Sequence, residues 1–559
     1  FVSMSAGFWY SQDLLHWDFH TAPDLPIYEY APDVRQIGNF LYFCATREDV
    51  PSPILRSADP LSEKFEPVSI PFPFADPNLF WDEDGRVYLY GGCTNTDPIW
   101  GVELDPGTMQ PQGERQSLIA GHEDRLGYER PGENATFHKE ESPVYQNMHV
   151  LFDEATQKIV PPPDVPMEGF DVESLTKLYL SVGKPYIEGA FMTKHSGRYY
   201  LQYACPGTEY NTYADGVYVA DQPLGPFTLQ TSNPFSSKPG GFITGAGHGS
   251  TIQDKFGNYW HAATMRISIN HRFERRVGLF PAGFDEDGTL YCNQNFADYP
   301  TRIPQGHFDP WSLGPEWMLL SYGKAVTASS SAPGSDPASA VDEDIRTWWS
   351  AASADPGQWL TVDLGHPMKV HAIQVNLADE NLTIPCAEDQ YGDVLHTRCI
   401  ELTPQKTCYT LEASGDGARW TVLQHVERDA PHGYFDLGHY ISAQYIRLTC
   451  GNLPFDQPLR VSGLRVFGLG DGTRPAPAQA SAHRLNGLEA LVCWQTLPAA
   501  QGYNVRYGTT PDKLYHSWLV YGGCELKLTT LVDGQPCYVR VDSFNENGIT
   551  EGTVIAALD

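Results

Sequence analysis

Four stretches of this chain repeat one design: a short apolar strand, a tight turn bearing glycine, then a strand rich in aromatics. They run Asp33–Phe43, Asn78–Tyr90, Ala190–Leu201 and Ser250–Trp260. Two apolar runs joined by a Gly turn read as a β-hairpin. A supersecondary unit that recurs cannot bury its apolar face alone and must pack against its neighbours, so the fold is radial or solenoidal. A second motif also repeats. Gly7–Trp17 resembles Gly216–Phe227, and both read as the outer strand of such a unit. The pattern predicts a five-bladed β-propeller, with the chain entering partway through the first blade.

The repeats also share a chemical slot. Ala75-Asp76-Pro77, Ile187-Glu188-Gly189 and Gly247-His248-Gly249 each stand at the start of a repeat or just before it. In a radial fold such positions meet at the hub. Asp76 and Glu188 are therefore predicted to converge, although 112 positions separate them (188 − 76). Paired carboxylates facing a sugar are the equipment of glycoside hydrolysis. The plainer readings are a turn-forming Asp-Pro and a loop-capping Glu.

Composition limits the partners. With 37 basic against 69 acidic residues, the formal net charge is −32. That disfavours nucleic acid and anionic membrane surfaces, which bind through basic patches. No apolar run approaches the roughly 20 residues of a membrane-spanning helix. The 13 Trp and 30 Tyr are plentiful enough for sugar stacking, though core packing uses such rings equally well. The 11 cysteines are scattered without C-x-x-C pairs, so no disulfide framework is expected. Cys386, Cys399 and Cys408 are close enough in sequence to share one bridge or to remain thiols.

Ser11-Gln12-Asp13-Leu14-Leu15-His16-Trp17, Ala31-Pro32-Asp33-Val34, Ala75-Asp76-Pro77, Ile187-Glu188-Gly189 and Gly247-His248 occur in order at blade spacing. Together they resemble the propeller of glycoside hydrolase family 43. That resemblance implies Glu188 as general acid, Asp76 as the residue that tunes it, and a base on the first inner strand, which would precede Phe1. Asp76 is expected to raise the pKa of Glu188, since two close anions oppose each other's ionisation. The resemblance further implies substrate contacts at Asp33, His248 and Arg275. Asp33 has a structural alternative, His248 a core one, and Arg275 a surface ion pair. Glu133 and Arg130 lie in the polar insertion Gly127–Asn134, expected to be a pocket-rim loop that contacts substrate, or else a solvated loop.

After residue 307 the repeats stop. Lys324–Ser330, Thr347-Trp348-Trp349-Ser350 and Trp359–Gly365 resemble a discoidin (coagulation factor C-type) sandwich, used elsewhere as a carbohydrate-binding module. Trp348 and Trp359 are expected to be buried. Relatives hold calcium near acids such as Asp342 and Asp344 plus a late Glu, but Gly463-Leu464-Arg465 stands at that last place. That departure weakens the case for calcium, which stays open as an alternative, and no cofactor or metal is required by the catalytic scheme. Arg474–Ala478 is a linker. Residues 475–559 resemble a fibronectin type III sandwich.

The expectation is an all-β chain: a five-bladed β-propeller at 1–307, a discoidin-like sandwich at 319–470 and a fibronectin type III-like sandwich at 475–559. It would act as an inverting glycosidase releasing terminal pentose-like sugars from oligo- or polysaccharide, of the arabinofuranosidase or xylosidase type. A galactofuranosidase and a non-catalytic glycan-binding propeller are the alternatives. Appended binding modules favour an extracellular or periplasmic setting, while free thiols fit a cytoplasmic one.

Overall fold

The computed structural model describes residues 2, 7–22, 25, 30–46, 51–160, 171–266, 275–378, 380 and 406–558. Among them no helix is long and apolar enough to cross a membrane.

The first part is a ring of antiparallel sheets, each wound in sequence order from the hub outward. The first blade contributes two strands, Gly7–Tyr10 and Asp18–Thr21. The second contains Tyr30–Ile37, Phe40–Thr46, Ile54–Ser57 and Glu66–Ser69. The third contains Asn78–Trp81, Val87–Gly91, Ile99–Leu104 and Gln116–Ile119. Glu188–His195, Arg198–Cys205, Ala214–Ala220 and Thr228–Leu229 make the fourth, and Ser236–Ser237 also pairs with Ala214–Ala220. Thr244–Gln253, Tyr259–Arg266, Arg275–Phe284 and Leu290–Cys292 make the fifth. Local chemistry explains the turns. His195 pairs with Arg198 across Ser196-Gly197, and both turn residues have positive φ (50° and 79°). Such a two-residue turn matches the twist of the strands it joins.

Inner strands are stitched to one another by side chains. Asp33 Oδ2 accepts the Leu79 N–H at 2.9 Å, Arg35 Nε donates to the Leu79 carbonyl at 2.8 Å, and Asn78 Oδ1 accepts the Met192 N–H at 2.9 Å. Aromatics fill the wedges between blades. Tyr88, Tyr90, Tyr199 and Tyr203 are all buried in one apolar cluster.

The second part bends one eight-stranded sheet over its own core. Its longest strands, Trp359–Leu377 and Gly433–Cys450, pair antiparallel with register shifts between Asp363 and Met368 and between Val370 and Ala372. Such irregularities bend a strand. The buried ring at the centre is Trp349, while Trp348 and Trp359 are only half-buried. This corrects the expectation for those two positions: the chain alternates across the sheet, so of the Trp-Trp pair only the second side chain faces inward.

The third part packs the three-stranded sheet of Ala480–Asn486, Glu489–Trp494 and Glu525–Leu528 against a five-stranded sheet built on Gly502–Gly508 and Tyr538–Asn545. Trp494, Tyr503, Val505, Val539 and Val541 form its core.

The three parts share a further apolar core. Phe296, Tyr299, Trp317, Phe467, Leu519 and Phe544 come from all of them and are buried together. Beside it lies a buried polar seam. The Arg465 guanidinium grips both Glu343 carboxylate oxygens, at 2.9 and 2.8 Å, and donates to the Asp298 carbonyl at 2.7 Å. Lys238 Nζ donates to Asp298 Oδ2 at 2.7 Å.

Candidate active site

The hub site follows from where each repeat begins. Glu188 is the first residue of the fourth blade's inner strand, Asp76 stands two residues before the third blade's, and His248 lies within the fifth blade's. The strands enter the ring from one end, so these side chains meet there. The nearest ligand atoms of Asp76, Cys93 and Glu188 all lie within 4.8 Å of one another. Asp76 and Glu188 thus converge.

Asp76 is buried, with φ at 48°. Its backbone N–H is held by Thr46 Oγ1 at 2.8 Å, which fixes the left-handed turn. Its Oδ2 accepts the Gly189 N–H at 3.2 Å and lies 3.8 Å from His248 Nδ1, while its Oδ1 has no hydrogen-bond partner. Burial drives its pKa up to about 6; His248 opposes the rise and the Glu188 charge adds to it. The rise expected from the sequence for Glu188 is thus found at Asp76, the more deeply buried of the two carboxyls.

Glu188 is clamped from two sides. Tyr213 Oη donates to Oε1 at 2.5 Å, and Cys93 Sγ approaches Oε2 at 3.3 Å. Gly189, at φ 60°, leaves room for the His248 ring: a Cβ there would stand 2.7 Å from His248 Cγ. His248 is partly exposed toward the site. Behind it lies a buried polar chain: Asp215 Oδ2 accepts the Gly249 N–H and meets His261 Nε2, both at 2.9 Å. The other His261 nitrogen contacts Thr251 Oγ1 at 3.0 Å, and Thr251 donates to Gln202 at 2.7 Å.

The remaining predicted residues divide. Asp33 does not face the hub freely, since its Oδ2 is engaged by the Leu79 N–H and by Asn78 Nδ2 at 3.3 Å. These two bonds are what the structural reading of Asp33 requires. Arg130 is corrected too: its guanidinium pairs with Glu489 at 3.0 Å and donates to the Thr529 carbonyl at 2.8 Å, both in the third part. The Gly127 N–H likewise bonds the Leu531 carbonyl. The first half of the insertion is therefore a docking seam. Its second half is different. Glu133 is exposed and takes a two-pronged hydrogen bond from Arg266, whose strand ends on the hub side. The Asn134 N–H is held by Asn211 at 2.7 Å. Arg275 opens its strand, and its side chain lies outside the described residues. Cys386 and Cys399 also lie outside them, while Cys408 and the eight other described cysteines are free thiols.

Cys93, Tyr213, Arg266 and the Asp215–His261 chain escaped the sequence reading. None stands in a repeated slot, so periodicity carried no signal for them. Of the acids near the calcium position that the resemblance implies in the second part, Asp342 accepts a hydrogen bond from the Thr347 hydroxyl at 2.6 Å, and Arg465 stands where the late Glu would be and grips Glu343 instead.

Sheets ringed around a hub thus gather two carboxylates and a histidine at one end of the ring. Residues 148–290 match the model of glycosyl hydrolases family 43, and residues 325–383 match the F5/8 type C domain. The chain carries both domains. Glu188 and His248 fall inside the first match and Asp76 before it. The chain is 25% identical over 174 residues to the non-reducing end alpha-L-arabinofuranosidase BoGH43B of Bacteroides ovatus, covering 28% of this chain and 33% of that protein. It is 26% identical over 196 residues to a beta-xylosidase of Xylanibacter ruminicola, covering 34% of this chain and 49% of that protein. The matches thus span less than half the length of these curated relatives. A solved glycoside hydrolase is 17% identical, with 82% of this chain and 90% of that one covered at a TM-score of 0.42. At that score the architecture rests on the sheets described above.

Proposed function

We propose that this chain is an inverting glycosidase that releases terminal pentose-like sugars from oligo- or polysaccharide. The observation that carries the reading is the meeting of Asp76 and Glu188 at the hub, within the 4.8 Å cluster. Glu188 protonates the departing glycosidic oxygen. Asp76 stands behind it and, being buried, does not reach the sugar. An inverting pair of acid and base stands about 6.5–9.5 Å apart to admit water. Asp76 is too close to Glu188 for that task, so a third acid activates the water. The arabinofuranosidase and xylosidase names of the relatives support a pentose, and a galactofuranosidase is the neighbouring alternative.

The approach of the two carboxylates also favours a second reading. Retaining enzymes keep their two carboxyl groups only about 5–5.5 Å apart. Burial of Asp76 and its Gly189 hydrogen bond argue against its use as a nucleophile. Proton NMR of the first-formed sugar separates the two: inversion of the anomer is expected, and retention would reverse the assignment. Glu188→Gln should lower kcat/KM on substrates with poor leaving groups by about 10²–10⁴-fold, the usual worth of a positioned acid. Full activity of that variant would refute the role of Glu188, and absence of turnover in the unaltered chain would return it to the glycan-binding class.

We further propose the division 1–307, 319–470 and 475–559, with the last part a fibronectin type III-like spacer, supported by its two packed sheets. The second part is proposed to bind glycan without calcium, and an extracellular or periplasmic location is proposed from the appended modules.

A further inference from the structure

Cys93 sets this hub apart from a plain pair of carboxylates. Its thiol is half-buried, sits beside Glu188, and belongs with Asp76 and Glu188 to the one group of three possible metal-ligating side chains found among the described residues. A second observation bears on the same spot. Asp76 is 2% exposed, yet its Oδ1 has no hydrogen-bond partner. An uncompensated buried carboxylate oxygen is costly and is relieved by a cation or donor brought to it. The ligand set is mixed, one sulfur and two carboxylate oxygens. Hard ions such as Mg²⁺ and Ca²⁺ take oxygen-only shells, whereas sulfur with oxygen suits Zn²⁺ or Cd²⁺. Zn–S and Zn–O bonds of about 2.3 and 2.0–2.2 Å fit ligand atoms separated by a few ångströms.

We infer that Asp76, Cys93 and Glu188 form an inhibitory site for a thiophilic divalent cation, Zn²⁺ in the first instance. Binding forms a Zn–S bond, and the thiol proton leaves to solvent. The ion shields Asp76 and takes the Glu188 carboxylate as a ligand, so that carboxyl can no longer hold a proton for the leaving group. The inhibition rests on the hydrolase reading, but the metal site does not. The hub's acid pair is thereby made sensitive to a soft metal that a hub without the thiol would bind poorly.

The test is calorimetric titration of the full chain with ZnCl₂ in two buffers of different ionisation enthalpy. One ion per chain and net proton release are expected. Cys93→Ser and Glu188→Gln should each weaken the affinity tenfold or more, and Cys524→Ser, at an exposed thiol, should leave it unchanged. Co²⁺ substitution should give a thiolate charge-transfer band that Cys93→Ser abolishes. With aryl glycoside turnover, the Zn²⁺ concentration for half inhibition should rise at least tenfold in Cys93→Ser, each protein being normalised to its metal-free rate. Unchanged Zn²⁺ affinity in both hub variants, or equal competition by Mg²⁺, would overturn the site. Tight Zn²⁺ binding through Cys93 in a chain that hydrolyses no glycoside would keep the site and sink only the catalytic reading.

Discussion

Asp76 carries the clearest pH signature. Its folded pKa of about 6 stands above the usual 3.8, with burial as the main cause. The folded chain therefore holds this proton more tightly than the unfolded chain does. Below pH 3.8 both forms are protonated and there is no penalty. Between 3.8 and 6 stability falls as pH rises, and above 6 the full cost of a buried charge persists. Asp76→Asn removes that cost and can still accept the Gly189 N–H. A stability gain of about 1–3 kcal/mol is expected at pH 7.5, vanishing by pH 4. Thermal melts of the two proteins across that range check it, and equal curves at pH 7.5 would contradict it. Activity should fall in the same variant, because the carboxyl that stands beside Glu188 is lost.

At the scale of the element, the inner strand Thr244–Gln253 shows how backbone makes a site. A Cβ at Gly249 would stand 2.3 Å from the His261 ring, and one at Gly247 would stand 2.8 Å from the Tyr213 ring. Both glycines let a histidine-bearing strand press against the side chains that hold it. Gly249→Ala should destabilise by about 1–3 kcal/mol as an overpacked core. It should also lower activity by moving His248. Urea unfolding with parallel kinetics would measure both, and a neutral change would show the strand to be looser than its packing implies. This element also explains what the sequence could tell. Asp76, Glu188 and His248 were legible because each repeat puts a residue at the same axial height. Cys93 and Tyr213 were not, since they reach Glu188 from segments flanking the repeats. Arg130 misled because a polar Gly-Pro loop looks the same whether it meets sugar or a neighbouring sheet; only its Glu489 partner, more than 300 positions away, decides.

For the whole molecule, the governing contact is Arg465. It is 1% exposed and ties Glu343 of the second part to the Asp298 carbonyl beside the propeller. Removing one partner of a buried ion pair leaves a bare charge, at a cost of about 3–5 kcal/mol. Arg465→Met should therefore destabilise the chain strongly, whereas Arg465→Met with Glu343→Leu should recover most of the loss. Guanidinium denaturation of the three proteins would show this, and an additive double variant would mean the pair is not coupled. The architecture at this scale was only half legible. The three sandwich and propeller patterns stand in the text, but the apolar faces of Phe296, Tyr299, Phe467 and Phe544 read as ordinary core until one sees that they come from all three parts.

That shared core has a bearing on biosynthesis. Translation delivers the ring well before the strand holding Phe544. A nascent ring thus leaves the ribosome with an oily surface already formed and its cover not yet made, and at ordinary elongation rates of about 5–20 residues per second the wait lasts on the order of ten seconds or more. Shortening the gene after the ring would make that brief vulnerability permanent, so a trimmed chain should clump where the full one stays dispersed.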